Sequence, residues 1–483
     1  MKTYRILSII ALCAATASCG NDWLDLEPST RVPSATSIQL VSEAKYALNS
    51  VYNTMQNEYA YNSRLVYYAD VTADDMIAVS STKRTGNYYR FNFSKDNAPS
   101  THWSLLYKMI ANCNIVLSKI DALPTQNDDE RELRDNIKGE ALCLRAMAYF
   151  DLLRLYSYPY TMDNGASMGV PLVDKAADIN NKPSRSTVAQ CYGQIVTDLT
   201  AGVGLIGQNF QKGHLNKWGA LTLLSRVYLY MDDNANALKA AEEAIKGAEG
   251  KKYALWTNEE YPTAWANDSN AGKPGEVLFE IVNLTTDSPG KESLGYLNSG
   301  SGYKDYCTTV SFYHLLQSDS KDVRNKIITI ASKIAYVNKY QPQEGEAITD
   351  ANIPLIRLSE AYLNAAEAAC KLGDNANAVK YLDPIVKRAN PARTVAGETV
   401  TLDQVLLERR KELVGEGHRL YDLMRNNLRV ERVDEKDSKV SKIPAHYSKY
   451  LSFDRTFHMI ILPIPKAEMD ANPGLAGQQN PGY

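Results

Sequence analysis

Two separated stretches of the chain carry the same helix–turn–helix pattern, which constrains the fold more than any other feature of the sequence. Residues 221–244 place small and apolar side chains at helical spacing on both sides of an Asp-Asp-Asn turn, and residues 362–391 repeat this around a Gly-Asp-Asn turn. Small residues at such spacing let paired helices approach closely, as in tetratricopeptide repeats. The matching positions Ala237 and Ala378 are 141 residues apart, so the pairs are not contiguous repeats. The sequence therefore predicts a mainly α-helical fold with tetratricopeptide-like helix pairs.

Three earlier segments add to this helical scaffold. Apolar residues recur at three- and four-residue steps from Ser42 onwards, over residues 103–117, and over residues 132–156, where Pro159 ends the pattern. We predict that the scaffold comprises residues 42–250 and 351–430, to within a few residues at each boundary.

The segment between the two helix pairs has a different amino-acid composition. Residues 251–350, called the excursion below, are rich in Gly, Ser, Asn, Thr and Tyr, and within them Val277 to Val282 has the pattern of one short strand. Long irregular segments on a rigid scaffold are commonly functional. We therefore expect a loop-rich, minor-β, ligand-binding portion here, and a closing segment over residues 431–483.

The first residues indicate export and a lipid anchor. A positively charged start precedes a dozen apolar and small residues, too few to span a bilayer, which is typical of a signal peptide over residues 1–18. Small residues lead into Cys19 as in a bacterial lipobox; the alternative is an ordinary secretory signal with a chance cysteine. We expect lipidation of Cys19, an acidic tether over 19–41, and a single domain over 42–483 that is anchored to the membrane and does not span it.

Composition and motifs argue against several classes of function. The formal net charge is −3 with no basic block, so nucleic acid is not an expected partner. The five cysteines after Cys19 are odd in number and form no CxxC motif, so a disulfide scaffold is not expected. HExxH, P-loop, GxGxxG and GxSxG motifs are missing, and no two histidines have the spacing of helical metal ligands. No cofactor is predicted, and a structural Ca²⁺ is neither indicated nor excluded.

Adjacent carboxylates are the remaining candidates for catalysis, because glycosidases use two carboxyl groups about 5–10 Å apart. Asp74-Asp75, Asp128-Asp129 and Glu242-Glu243 are such pairs. Neighbours on a helix do not share a face, and charged pairs are usually solvated. We therefore predict no catalytic residue and no enzymatic activity.

Aromatic residues are the better clue to function, because the chain has 31 tyrosines against eight phenylalanines. Tyrosine combines an apolar ring with a hydrogen-bonding tip, which suits wet recognition surfaces. Sugars lay their C–H faces on such rings, and peptides use the same platforms. Packing within the loops is the alternative for each ring, but we expect two or three ligand contacts among Trp256, Trp265, Tyr296, Tyr303 and Tyr306 in the excursion and Tyr88 and Tyr89 in an earlier Gly/Asn loop.

The last quarter of the chain closely resembles the signature helix of the SusD/RagB family. The residues that carry this resemblance are Glu408-Arg409-Arg410-Lys411-Glu412-Leu413, Glu416-Gly417-His418-Arg419 and Tyr421-Asp422-Leu423-Met424-Arg425. Other stretches look like the same family in the same order: Trp103 to Asn112, Gly139 to Leu152, Arg357 to Tyr362, and the Pro- and Gly-rich tail from Leu462 to Tyr483. The resemblance covers essentially the whole chain after Cys19.

Within this signature the charged residues have a simple structural interpretation. We interpret Glu408, Arg409 and Glu412 as an i,i+4 charge ladder on a helix whose apolar pairs recur every seven residues and face the core. We interpret His418 as a packing and capping residue.

The resemblance implies an outer-membrane lipoprotein that faces the cell exterior, with a tetratricopeptide-like half and a loop-rich half. It implies binding of an oligosaccharide or polysaccharide nutrient and delivery to a SusC-like TonB-dependent transporter. Three alternatives stay open. A RagB-like protein would take up peptides through a deeper, less aromatic cleft, a surface glycan hydrolase would bring carboxylates together in a cleft, and a protein-assembly scaffold would have an excursion that packs closed.

Overall fold

The computed structural model describes residues 38–173, 175, 181–266 and 275–483. The predicted signal peptide, Cys19 and most of the predicted tether lie outside the described residues. Among the described helices, none is both long enough and apolar enough to cross a membrane.

Helices make up most of the described chain. Their bounds are α1 Val41–Met55, α2 Arg64–Val71, α3 Gly86–Tyr89, α4 Ser100–Lys119, α5 Asp128–Tyr156, α6 Val188–Leu205, α7 Lys217–Tyr230, α8 Asn234–Gly250, α9 Tyr261–Ala264, α10 Leu294–Leu297, α11 Val310–Gln317, α12 Leu358–Lys371, α13 Asn375–Ala389, α14 Leu402–Glu412, α15 Arg419–Arg425 and α16 Lys466–Ala471. The mainly α-helical fold predicted from the sequence is confirmed.

Strands are short and pair only in twos within the described residues. They are β1 Met76–Ala78, β2 Val277–Ile281, β3 Tyr306–Thr308, β4 Ile328–Ala331, β5 Ile334–Val337, β6 Ile353–Arg357, β7 Val430–Glu431 and β8 Ser452–Phe453. The antiparallel pairs are β1–β3, β2–β6, β4–β5 and β7–β8. The strand predicted within the excursion is therefore present as β2, and its partner β6 lies next to α12.

The two predicted helix pairs are α7–α8 and α12–α13, and they begin their second helices in the same way. Helices α8 and α13 both begin within an Asp-Asn-Ala-Asn-Ala sequence, at residues 233–237 and 374–378. Asp233 and Asp374 are the N-cap residues, and their carboxylates accept hydrogen bonds from the backbone amides of Asn236 at 3.2 Å and Asn377 at 3.1 Å. Such caps satisfy amides that a helix start would otherwise leave unpaired.

The two pairs pack against each other although the excursion separates them along the chain. Helix α8 lies against α12, and both present buried alanines to the contact: Ala237, Ala240, Ala241 and Ala244 on α8, and Ala365, Ala366, Ala368 and Ala369 on α12. Small side chains let the helix axes approach closely, as the spacing predicted.

The signature segment is not one helix as predicted. Helix α14 ends at Glu412 and α15 starts at Arg419, and the turn between them contains Gly415 and Gly417 with φ of 82° and 80°. Only glycine adopts this conformation readily. A Cβ on Gly417 would also lie 2.8 Å from the carbonyl oxygen of Val66, so the turn fits closely against α2.

The charge ladder on α14 is also not a surface feature. Glu408, Arg409 and Glu412 are buried, and Arg409 donates to Asp422 at 2.7 Å. Burial alone raises the pKa of Glu408, but the charges of Arg324 and Lys411 lower it to about 2. These charges are tolerated inside the protein because each is paired.

Candidate functional site

Most of the aromatic residues predicted to contact a ligand lie inside the protein. Trp256, Trp265, Tyr88, Tyr89 and Tyr306 are each at most 7% exposed. Tyr296 and Tyr303 are half-exposed. The prediction that the buried five form an open platform is therefore wrong for the described structure, whereas ligand contact by Tyr296 and Tyr303 stays a prediction.

The two buried tryptophans pack against each other and against cations in the protein interior. Their ring centroids lie 4.9 Å apart in a T-shaped contact. The Arg357 guanidinium lies 4.8 Å from the centroid of the Trp265 ring, and the Lys339 ammonium is at the same distance. Aromatic faces attract cations, most strongly where water is excluded. Trp256 and Trp265 are thus core residues of the excursion.

The three buried tyrosines have internal partners too. Tyr88 shares a 3.0 Å hydrogen bond with His102, and Tyr89 is hydrogen-bonded to His446 at 2.5 Å. The ring of Tyr306, in β3, packs 5.6 Å from that of Tyr67. These contacts join the early loop to the core and leave the rings little free surface.

What remains at the surface is a compact cluster that we call the tyrosine surface, formed by Tyr296, Tyr303, Lys83, Arg84 and Glu292. The two tyrosine rings stand edge to face with centroids 5.0 Å apart. The guanidinium of Arg84 lies 4.4 Å from the centroid of the Tyr303 ring. The cluster thus presents aromatic rings, two cations and one carboxylate together.

Backbone geometry within the excursion holds the two tyrosines together. The amide of Tyr303 donates to the carbonyl of Tyr296 at 3.0 Å. A Cβ on Gly302 would lie 1.9 Å from that same carbonyl oxygen, so only glycine allows the chain to turn here. The Gly-rich sequence that marks this stretch is therefore the reason why the rings converge.

The early loop reaches the tyrosine surface because β1 pairs with β3. Directly after β1, the Val79 amide donates to the Asp305 carbonyl at 2.9 Å, and the Thr85 hydroxyl donates to the same oxygen at 2.9 Å. Residues 80–87 therefore lie beside residues 290–304. The sequence pointed to both loops, but to Tyr88 and Tyr89 rather than to the cations Lys83 and Arg84.

Charge pairing fixes the cations at this surface. Arg84 donates to both oxygens of Glu292 at 2.7 and 2.9 Å and to Asp305 at 3.2 Å. Burial lowers the pKa of Arg84, but the hydrogen bonds to Glu292 and the charge of Asp305 outweigh it and raise the pKa. Lys83 donates to the carbonyl of Tyr303 at 2.5 Å. Both cations keep about 30% of their side-chain surface exposed and can reach a ligand.

A second concave feature lies between residues 433–446 and the start of α11. This groove has a volume of about 490 Å³. The imidazole of His314 links its acidic loop to α11 through hydrogen bonds to Glu435 and, at 3.2 Å, to Asp437. The hydrogen bond to Glu435 raises the pKa of His314. Sequence reasoning missed the groove, because this charged stretch resembles a solvated loop.

The adjacent carboxylates have structural partners. Asp74 and Asp75 are buried, contrary to their interpretation as solvated charges, and pair with Arg419 at 2.7 Å and Arg410 at 2.5 Å. Asp128 is exposed and pairs with Arg131 one turn later. Among the residues that the structure describes, no cluster of histidine, cysteine and carboxylate side chains is arranged to hold a metal ion.

Comparisons with known proteins cover the whole described fold. A family model described as "Starch-binding associating with outer membrane" matches residues 22–229, and the model of the SusD family matches residues 180–483. A crystal structure of a Bacteroides vulgatus protein with a proposed sugar-binding role is 62% identical, with a TM-score of 0.91 over 93% of this chain and 100% of that one. A SusD superfamily protein from the same species is 35% identical, with a TM-score of 0.83 over 92% and 100% of the two chains. SusD-like protein P38 of Formosa agariphila is 23% identical over 89% of this chain and 93% of its own length.

Proposed function

The chain belongs to the SusD/RagB family, and from this premise we propose that it captures an oligosaccharide or polysaccharide at the cell surface without cleaving it. The proposed binding site is the tyrosine surface. The observation that carries this assignment is the half-exposed edge-to-face pair of Tyr296 and Tyr303 beside a second loop of the chain.

The chemistry of the tyrosine surface suits a sugar. Tyrosine rings offer apolar faces for the C–H groups of a pyranose, and their hydroxyls can exchange hydrogen bonds with its hydroxyl groups. Arg84 and Lys83 add donors, and Glu292 adds an acceptor, each fixed in place by its partners. A few convergent polar groups around an apolar platform are the usual design of a small-molecule site.

Affinity electrophoresis of the detergent-solubilised protein in gels that contain single polysaccharides tests this proposal. We expect at least one glycan to retard the protein, while the glycan recovered from the gel keeps its chain length. Tyr303→Ala should markedly weaken the retardation, and Tyr46→Ala, which removes an exposed ring on α1, should not. If no glycan retards the protein, the proposal fails, and if the glycan is shortened, the hydrolase alternative replaces it.

Two further parts of the proposal concern location and delivery. We propose that lipid on Cys19 anchors the protein to the outer membrane facing the exterior, and that a SusC-like TonB-dependent transporter receives the glycan. Membership of the SusD/RagB family supports both parts. The match of residues 22–229 to a family model whose description mentions the outer membrane supports the location. Cys19→Ala should release the protein from membranes without changing glycan retardation, and the transporter should co-purify with the wild-type protein from detergent extracts.

Peptide capture is the second candidate, and the groove at residues 433–446 is the observation that favours it. Its lining has no tyrosine, tryptophan or phenylalanine and encloses about 490 Å³, which agrees with the less aromatic cleft that peptide binding predicts. The test is isothermal titration with a mixture of tryptic peptides. Heat release that Val433→Asp removes, together with no retardation by any glycan, would favour this candidate over glycan capture.

A further inference from the structure

We infer that the tyrosine surface selects an anionic glycan, one that carries carboxylate or sulfate groups, over a neutral one. This inference deepens the proposed function and rests on it. It follows from the balance of charge around Tyr296 and Tyr303.

Cations outnumber carboxylates in the two loops that build this surface. Residues 76–96 contain Lys83, Arg84, Arg90 and Lys95 against one carboxylate, Asp96. Residues 287–305 contribute Lys291 and Lys304 against three carboxylates, Asp287, Glu292 and the buried Asp305, so the two loops together have six cations and four carboxylates. The chain as a whole has a net charge of −3, so this local excess of positive charge is not a property of the composition.

The carboxylates at the surface are already used by two of the cations. Glu292 is held by Arg84, and Asp305, which is fully buried, pairs with Arg84 at 3.2 Å and Lys83 at 3.5 Å. The remaining cations are not compensated. Arg90 donates only to neutral oxygens, at 3.2 Å to the Gly86 carbonyl and 3.1 Å to the Asn87 side chain.

Two further lysines beside the tyrosine surface also lack an ion-pair partner among the described residues. Lys291 is exposed and Lys304 is half-exposed, and neither forms an ion pair with any residue that the structure describes. Lys304 directly follows Tyr303, and Lys291 directly precedes Glu292. Both lysines are therefore immediate chain neighbours of members of the tyrosine surface.

This arrangement should bind an anionic ligand more strongly than a neutral one. Hydrogen bonds between a cation and a carboxylate or sulfate are about twice as strong as neutral ones. A concentration of one sign of charge also attracts ligands of the other sign before contact. The groove at residues 433–446 differs in this respect, because its lining includes Asp434, Glu435 and Asp437 against Lys436.

Paired probes test the inference on the full-length protein in detergent. Polygalacturonate is compared with its methyl ester, and dextran sulfate with dextran, by isothermal titration at low and high NaCl. We expect at least one charged probe to bind about tenfold more tightly than its neutral counterpart, and to lose about tenfold in affinity at high salt because exposed charges are screened. The two pairs distinguish carboxylate from sulfate recognition.

Charge-matched variants locate the effect. Lys291→Gln combined with Lys304→Gln should lower the affinity for the charged probe about tenfold and leave the thermal unfolding temperature unchanged, because neither side chain is paired. Lys239→Gln combined with Lys246→Gln removes the same charge from the exposed face of α8 and should have no effect.

The outcomes separate this inference from the proposed function. Equal binding of charged and neutral glycans through Tyr303 would overturn the anionic preference and leave glycan capture intact. Equal loss in both double variants would reveal general attraction of polyanions and would also overturn it. If no probe and no other glycan binds, the proposed function itself fails.

Discussion

Tyr303 and Trp265 are both aromatic residues of the excursion, but the structure places them in opposite environments. Tyr303 is half-exposed beside Arg84, whereas Trp265 is 6% exposed and covers Arg357 and Lys339. Tyr303→Ala should therefore lower glycan affinity about tenfold, or roughly 1–2 kcal/mol, with little change in stability. Trp265→Ala should instead cost about 3–5 kcal/mol of unfolding free energy. Titration calorimetry and urea denaturation of both variants separate the roles, and the reverse pattern would contradict them.

The sequence could not distinguish these two residues. Both lie among glycine and polar neighbours, and an aromatic ring in such surroundings is equally compatible with a binding platform and with a packed loop. The cations that Trp265 covers come from positions 339 and 357, and no local pattern reveals that contact. Local sequence therefore pointed to the segment that contains Tyr296 and Tyr303, but it did not show which aromatic rings are buried.

Asp70 is a buried carboxyl group whose charge state should govern stability at neutral pH. One of its oxygens accepts from the Gly417 amide at 2.7 Å, and the other has no hydrogen-bond partner. Burial raises its pKa from 3.8 to about 8. Because folding favours the protonated form, this stabilisation is fully present below pH 4 and is lost as pH rises through about 8.

Asp70→Asn keeps an acceptor for Gly417 and cannot ionise. The wild-type protein should lose unfolding free energy, on the order of 3 kcal/mol, between pH 5 and 8, and the variant should lose much less. Thermal unfolding at both pH values measures the difference. Parallel curves for the two proteins would show that Asp70 does not titrate in this range.

At the scale of elements, the turn between α14 and α15 depends on Gly417. Gly417→Ala places a methyl group 2.8 Å from the Val66 carbonyl oxygen in a conformation with φ of 80°, and should cost about 2 kcal/mol or more. Gly193 on the exposed face of α6 is the matched control, because a Cβ there meets nothing within 4 Å. Gly193→Ala should stabilise the protein by about 0.5–1 kcal/mol. Denaturation midpoints of both variants give the comparison, and equal midpoints would contradict it.

The elements themselves were predictable to different degrees. Alanine spacing and the Asp-Asn turns predicted α7–α8 and α12–α13, because helix pairing and capping are local properties of the sequence. The break after Glu412 had a signal in Gly415 and Gly417, which a helix tolerates poorly. The burial of Glu408, Arg409 and Glu412 had none, since their partners Arg324, Asp422 and Arg388 are set by tertiary structure.

At the scale of the whole molecule, one buried arginine fastens the excursion to the scaffold. Arg357 ends β6, whose partner β2 lies in the excursion, and its guanidinium donates to Glu276 at 2.6 Å, Glu412 at 3.1 Å and Glu416 at 2.8 Å. Glu276 directly precedes β2 in the excursion, and Glu412 and Glu416 belong to the signature segment. Helix periodicity predicted the scaffold but could not predict this junction, because its members are up to 140 residues apart.

Removing this arginine should weaken the whole molecule rather than one element. Arg357→Leu removes the cation that the buried Glu276 and Glu412 share with Glu416, and breaking a buried pair in this way costs about 3–5 kcal/mol. Arg429→Leu is the matched control, because Arg429 is 51% exposed in its pair with Asp454, and this substitution should cost at most about 1 kcal/mol.

Urea denaturation followed by both tryptophan fluorescence and circular dichroism is the measurement. In a background in which Trp23, Trp103 and Trp218 are replaced by phenylalanine, fluorescence reports on Trp256 and Trp265 in the excursion. Circular dichroism reports on the helices, so a junction shared by both should shift the two transitions together. A shift in fluorescence alone would mean that the excursion unfolds independently and that Arg357 does not couple it to the helical scaffold.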